Sequence, residues 1–289
     1  MGDKKIVYLV GDPVEHSVSP QMHNLCYKEL GLNFEYKLLK VSSIELEEKI
    51  KELKNPSVAG FNVTIPHKEN IIKFLDYIDN SAKLIGAVNS VKNENGILKG
   101  FNTDSIGFIE SLISDAKFMP NGKKILLIGA GGAAKAIAVA LCKENISELT
   151  IYDIDKEKAA KLCENLKTNF DLKVYPLDSY EKINQAIINS DCIINASPIG
   201  MYPKTDISPI KEDAPFRHGQ VLYDVVYNPK TTKLMKIASS KGAKTISGLG
   251  MLVRQGAAAF ELFTEKVPNI KTMWNAAEEA LGLEKTIIF

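Results

Sequence analysis

The chain has 289 residues, with 36 Lys and Arg against 35 Asp and Glu, and 45% of it is hydrophobic. That is globular composition, which excludes disorder and low-complexity architectures and leaves room for one large or two modest domains. A net charge of +1 offers no field for gripping nucleic acid. No apolar run approaches the ~20 residues of a membrane span, and the start, Met1-Gly-Asp-Lys-Lys-Ile-Val, lacks the pattern of a signal peptide. The expectation is a cytoplasmic protein with neither membrane nor nucleic acid as partner. Cys26, Cys142, Cys163 and Cys192 are scattered, with no C-x-x-C pair and no His at metal spacing, so they read as buried free thiols.

Short β-branched runs alternate with longer helical stretches along the chain. Residues 6–10 read as a strand, 23–30 as a helix, 34–41 as a strand, 43–53 as an amphipathic helix and 59–65 as a strand. Residues 88–92 and 97–101 flank Asn93-Glu-Asn-Gly96, a hairpin signal because Asn-Gly accepts positive φ. After Asp104 the rhythm changes. Strands at 124–128, 149–153, 173–175, 192–196, 221–226 and 244–246 are separated by helical stretches at 133–143, 156–169, 179–189 and 231–241. Such βα repetition implies a parallel sheet covered by helices on both faces. Two helices, 251–266 and 270–283, close the chain. The expected architecture is α/β, with a first α/β domain at 1–104 joined by 249–289 and a doubly wound domain at 105–248.

Gly129-Ala130-Gly131-Gly132-Ala133-Ala134 lies between a predicted strand and a predicted helix, where a G-x-G-x-x-G/A turn belongs. Gly129 permits the tight turn, Gly131 lets a pyrophosphate approach bare backbone, and Ala134 lets helix and strand pack closely. Asp153, 19 residues beyond Ala134 and at the end of the next strand, is placed to accept hydrogen bonds from the ribose hydroxyls of an adenosine. A carboxylate there repels a 2′-phosphate. Neither of the two arginines, Arg217 and Arg254, is near it, and Lys156 and Lys158 offer point charges without a bidentate fork. These residues predict a nicotinamide cofactor, NAD in preference to NADP.

Four polar clusters mark the first domain. Ser17 and Ser19 stand two residues apart before a helix with Pro20 at its start, which makes a plausible carboxylate site, although Ser19 alone reads as an N-cap. Asn62-Val-Thr64-Ile-Pro-His-Lys68 closes a strand; Asn89 ends Gly-Ala-Val-Asn; and Asp104 lies in Gly100-Phe-Asn-Thr-Asp-Ser-Ile-Gly107, where it too could simply cap a helix. His23 reads as a helix-surface or packing residue, and Met251 and Phe260 as core.

In this order, S-x-S-P-x-x-H-N, N-V-T-I-P-H-K, G-A-V-N and G-x-N-T-D-x-x-G resemble the shikimate dehydrogenase family. The later G-A-G-G-A-A, N-A-S-P-I-G-M, D-V-V-Y-N-P and G-L-G-M-L-V-R-Q-G segments extend the match over essentially the whole chain. The resemblance implies a substrate domain and a Rossmann domain with a cleft between them, and reversible hydride transfer between a nicotinamide cofactor and C3 of shikimate. It implies that Ser17 and Ser19 bind the substrate carboxylate, and that Thr64, Asn89, Asp104 and Gln255 bind its hydroxyls. Lys68 and Asp104 would be the catalytic pair, with Tyr227 near substrate and nicotinamide. The glycine turn (Gly129 to Ala133), Asp153, Gly248 and Met251 would face the cofactor, and no metal is needed.

Many family members carry Asn-Arg-Thr where this chain has Asp153-Ile154-Asp155. The departure agrees with the NAD reading and moves the chain toward NAD-using shikimate/quinate enzymes. Ser17, Ser19 and Thr64 keep the shikimate pattern, so shikimate ranks first and quinate second, and a monomer or homodimer is expected. A non-catalytic NAD-binding sensor on the same fold would be expected to have lost Lys68 or Asp104, and both are present.

Overall fold

The computed structural model describes residues 3–283, which divide into two compact units. The first comprises the described residues of Met1–Gly107 and Val253–Phe289; the second is Phe108–Leu252. Both boundaries fall inside helices, three to four residues beyond the expected junctions, because α4 (Asp104–Ser114) and α9 (Leu249–Thr264) run on without a break. No helix among the described residues is long and apolar enough to cross a membrane.

The first unit is built on a six-stranded sheet of order β2-β1-β3-β5-β6-β4, formed by β1 (Lys5–Gly11), β2 (Phe34–Lys40), β3 (Val58–Val63), β4 (Tyr77–Ile78), β5 (Ser90–Glu94) and β6 (Ile97–Phe101). It is mixed. β1 pairs in parallel with β2 and β3, whereas β5 runs antiparallel to both β3 and β6. The β5–β6 hairpin turns at Asn95 and Gly96, both at positive φ, as the Asn-Gly signal required. One face is closed by a core that includes Phe61, Ile71, Val91 and Leu98, with Leu46, Ile50 and Leu53 of α2 (Leu46–Leu53) packed on it. α2 starts three residues later than its apolar period suggests. The Glu45 carboxylate accepts from both the backbone N–H and the hydroxyl of Ser42, which commits residues 42–45 to a turn. Conversely, α1 (Ser19–Glu29) starts four residues earlier than expected, because Pro20 suits a first helical turn. α10 (Ile270–Ala280) packs against α1.

The second unit has six strands, all parallel, in the order β12-β11-β10-β7-β8-β9. They are β7 (Lys124–Ile128), β8 (Glu148–Tyr152), β9 (Lys173–Pro176), β10 (Cys192–Asn195), β11 (Val221–Asp224) and β12 (Lys244–Ser247). From β7 the chain winds outward through β8 and β9, then returns to place β10 on the other side. This is the doubly wound dinucleotide-binding topology, whose switch point lies between β7 and β10. The buried strands are nearly continuous apolar runs, as a sheet covered on both faces demands. Helix α5 (Gly132–Lys143) follows β7, and α6 (Lys156–Asn169) starts on an Asp155 side chain that accepts from the N–H groups of Glu157 and Lys158. The four cysteines are free and buried.

Candidate active site

Lys68 follows β3 on a short turn held by backbone hydrogen bonds. His67 N–H donates to the Thr64 carbonyl, and the Lys68 carbonyl accepts from Val88 N–H at 2.8 Å. His67 is buried, with Nε2 against the Val41 carbonyl at 2.6 Å, so it anchors the turn and does not face solvent. From this platform the Lys68 ammonium donates to Asp104 Oδ2 at 2.6 Å; the two side chains are 16% and 7% exposed. The other carboxylate oxygen accepts from Asn89 Nδ2 at 2.9 Å. Asp104 stands at the first position of α4, but its carboxylate serves Lys68 and Asn89, while its own N–H is held by Asn102 Oδ1.

Asn89 is the hub. Its Nδ2 also reaches Thr103 Oγ1 at 2.9 Å and Gln255 Oε1 at 3.4 Å, and its Oδ1 accepts from Thr103 N–H at 2.7 Å. Lys68, Asp104, Asn89 and Gln255, drawn from four separate segments of the chain, therefore form one connected cluster. A half-buried ammonium with a donor amide and a carboxylate fixed beside it can stabilise an oxyanion and move a proton at an alcohol or ketone oxygen.

Ser17 donates to Ser19 Oγ at 3.1 Å. The residue flanking α1 is Val18, which makes no side-chain cap; the Ser17 hydroxyl oxygen accepts from Ser19 N–H, the first of the helix, at 3.3 Å, and Ser19 is not the cap. Thr64 sits at the end of β3 with its methyl group against Gly11. Two residues not singled out from the sequence, Tyr36 and Asn62, are buried within this unit and bonded to one another at 2.8 Å. Asn62 stood in a motif already quoted, and a polar residue inside an otherwise apolar strand was the signal. His23 is not on the surface: it is buried and stacks on Tyr36 at 4.3 Å, and burial pushes its pKa down to about 3.

In the second unit Gly129 ends β7 at φ +110°, and a Cβ there would meet the Ala196 backbone at 3.0 Å. Gly131 flanks α5, no side chain caps that helix, and a Cβ on Gly131 would meet nothing within 4 Å. An uncapped helix N-terminus with open space above it fits a pyrophosphate. Ala130 N–H donates to Asp153 Oδ2 at 2.7 Å and Asp155 N–H to Oδ1 at 2.8 Å, so Asp153 ties the glycine turn to the end of β8. Each of its oxygens keeps a lone pair free.

Gly248 packs so closely on the loop after β11 that a Cβ would stand 1.9 Å from the Val225 carbonyl oxygen, a structural reason for glycine there. Met251 is buried in the first turn of α9. Tyr227 belongs to the second unit; it is half-buried, and desolvation pushes its phenol up. Three residues before it, Asp224 accepts from Thr232 Oγ1 at 2.6 Å, Asn195 Nδ2 at 2.9 Å and Val226 N–H at 3.2 Å. Burial nevertheless pushes its carboxyl up to about 6.

Three family models match this chain: the shikimate dehydrogenase substrate binding domain over residues 9–91, shikimate/quinate 5-dehydrogenase over 113–204, and the shikimate 5′-dehydrogenase C-terminal domain over 248–278. A protein of Methanococcus maripaludis named shikimate dehydrogenase (NADP+) is 46% identical over 94% of this chain and 96% of its own length. Among solved structures, a shikimate dehydrogenase in complex with NADP+ is 43% identical with a TM-score of 0.87, covering 96% of both chains. The shikimate 5-dehydrogenase of Listeria monocytogenes, in complex with shikimate and NAD, is 34% identical with a TM-score of 0.85, covering 94% of this chain and 96% of that one.

Proposed function

Because the chain belongs to the shikimate dehydrogenase family, we propose that it interconverts shikimate and 3-dehydroshikimate, with the chemistry performed by the cluster around Lys68. The observation that carries this reading is the Lys68–Asp104 ion pair, held at 2.6 Å and clamped from the other side by Asn89.

A nicotinamide dinucleotide, when bound, supplies or accepts the hydride. The protein's own contribution begins at the C3 oxygen. In reduction, negative charge develops on that oxygen, and the Lys68 ammonium stabilises it and delivers a proton. In oxidation the neutral amine takes the hydroxyl proton. Asp104 and Asn89 hold a long side chain in one geometry and add hydrogen bonds to the reacting hydroxyl and its neighbour. Gln255 and Thr64 complete the hydroxyl contacts. Ser17 and Ser19, with the positive end of α1, take the carboxylate. Gly129 to Ala133 and the start of α5 hold the pyrophosphate, Asp153 the adenosine ribose, and Gly248, Met251 and Tyr227 the nicotinamide end.

The cofactor reading favours NAD. The relative from Methanococcus maripaludis is named for NADP+ and the 43% identical structure holds NADP+, so the support for NAD comes from this chain's residues alone. A carboxylate at 153, an exposed Ile154 and the absence of arginine between 153 and 158 leave a 2′-phosphate without a bidentate partner. The paired serines and Thr64 rank shikimate above quinate as substrate. The test is the absorbance of reduced nicotinamide with shikimate and with quinate, each against NAD and NADP. Turnover of shikimate is the expected result, fastest with NAD. No turnover of shikimate with either cofactor would overturn the reading.

A further inference from the structure

The orientation of one side-chain amide decides the geometry of the Lys68–Asp104 pair. Asn89 turns its nitrogen toward Asp104 Oδ1 at 2.9 Å, which occupies that oxygen and leaves Oδ2 to receive the Lys68 ammonium at 2.6 Å. Turned over, the amide would set its own oxygen against the carboxylate, acceptor against acceptor. Donors on its other side hold it the right way round. Asn89 Oδ1 accepts from Thr103 N–H at 2.7 Å and from the Ser90 hydroxyl at 3.1 Å.

The sheet explains why the Ser90 proton points there. Ser90 is the first residue of β5 and pairs with Asn62 of β3 across an antiparallel ladder, so the two side chains share a face. Asn62 Nδ2 donates to the Asn89 backbone carbonyl at 3.1 Å and to Ser90 Oγ at 2.8 Å. A carbonyl only accepts, so it fixes which end of the Asn62 amide is nitrogen, and the amide oxygen takes the Tyr36 phenol at 2.8 Å. Toward Asn62 the Ser90 oxygen is therefore an acceptor. Its single proton is left for the side where Asn89 Oδ1 lies at 3.1 Å and Thr103 Oγ1 at 3.3 Å. Ser90, Asn62 and Asn89 are all buried, where a hydrogen bond left unmade is not replaced by solvent.

We propose that Ser90 is a positioning residue for the reaction, whose hydroxyl locks the Asn89 amide with its nitrogen toward Asp104 and so fixes where Asp104 holds the Lys68 ammonium. The proposal deepens the function proposed above and rests on it. Ser90 acts through Asn89 alone; its own side chain is fully buried and does not face the substrate. Its loss leaves Asn62 anchored by the Asn89 carbonyl and Tyr36, so the effect falls on the Asn89 oxygen. With one donor fewer, the amide is freer to leave the orientation that Asp104 needs.

The experiment compares Ser90→Ala, Ser90→Thr and Ser90→Cys. It measures the single-turnover rate of nicotinamide reduction at saturating shikimate, the KM for shikimate and for the dinucleotide, and thermal melting. Ser90→Ala is expected to slow hydride transfer by about 3- to 10-fold, the size of one lost hydrogen bond, with the KM for the dinucleotide unchanged. Ser90→Thr keeps the hydroxyl and is expected to restore the rate to within about twofold of the wild type. Ser90→Cys keeps the volume but donates weakly, so it should be slowed as Ser90→Ala is, and it gives the same reading where Ser90→Ala does not fold. A purely structural serine would lower the melting temperature and leave the single-turnover rate of the folded variants at the wild-type value. That result, or a Ser90→Thr variant as slow as the other two, would overturn the proposal while wild-type turnover of shikimate stands. An inactive wild type overturns the functional reading, and this one with it.

Discussion

The Lys68 ammonium and the Asp104 carboxylate meet at 2.6 Å although they are 36 residues apart and leave different strand ends. Lys68 follows β3 and Asp104 follows β6, strands separated in the sheet only by β5. The pair is mostly withdrawn from water, so removing one partner strands the other. Lys68→Ala is expected to lower kcat by orders of magnitude with a smaller change in KM, the pattern of an interaction realised mainly in the transition state. Steady-state kinetics on shikimate checks this, and near-normal turnover would remove Lys68 from the chemistry. Ser17→Ala should show the opposite split, with KM raised and kcat nearly kept, because its contact with the carboxylate is the same in ground and transition states.

What the sequence made legible follows from the range of the forces involved. The second sheet was readable strand by strand, since buried parallel strands such as Lys124–Ile128 are unbroken apolar runs and their helices start on local signals such as Asp155. The mixed order of the first sheet was not, because the antiparallel pairing of β3 with β5 depends on contacts distant in sequence. β4, with two residues, and α3 (Asn80–Ile85) carry too little periodicity to announce themselves. In the site, Lys68, Asp104 and the serines stood out as a motif, whereas Tyr36 looked like one alternating residue in a strand. Its bond to Asn62 depends on which residues the sheet brings face to face, which spacing along one chain does not encode.

The cofactor preference turns on the end of β8. Ile154 is 91% exposed beside Asp153, so an arginine at that position has room to extend toward a 2′-phosphate without disturbing the fold. Ile154→Arg is expected to shift the ratio of kcat/KM for NADP over NAD upward by about tenfold, in line with a charge-assisted bidentate contact worth roughly 1.5 kcal/mol. Combining it with Asp153→Ser should shift the ratio further by removing the repelling carboxylate. Measuring both cofactors at saturating shikimate checks this; a ratio unchanged by the arginine would place the adenosine end elsewhere.

Asp224 gives the second unit a pH dependence with a defined sign. Its carboxyl is pushed up to about 6 by burial, against hydrogen bonds from Thr232, Val226 and Asn195 that work the other way. The folded state therefore holds this proton more tightly than the unfolded chain. The stability it contributes is fully present below about 3.8 and is lost as the pH rises through about 6. Asp224→Asn should be less stable overall, because every partner of this carboxylate is a donor and an amide offers only one acceptor oxygen. Its stability should also change less than the wild type's between pH 4 and 7. Thermal melts at several pH values check this, and parallel wild-type and variant curves would count against it.

Gly131 and Gly248 were both expected to face the cofactor, and the structure predicts opposite outcomes for them. At Gly248 an added methyl group would lie 1.9 Å from the Val225 carbonyl oxygen, a backbone atom that cannot rotate away. Gly248→Ala should therefore cost about 3 kcal/mol or more of folding stability. At Gly131 the backbone is at φ −79°, which alanine adopts freely, and the added carbon would touch nothing in the protein. Gly131→Ala should leave denaturant unfolding within about 0.5 kcal/mol of the wild type while raising the KM for the dinucleotide, because the open space above α5 is where its pyrophosphate approaches the backbone. A Gly131→Ala variant with unchanged stability and an unchanged KM for the dinucleotide would show that the space above α5 is not used by the pyrophosphate.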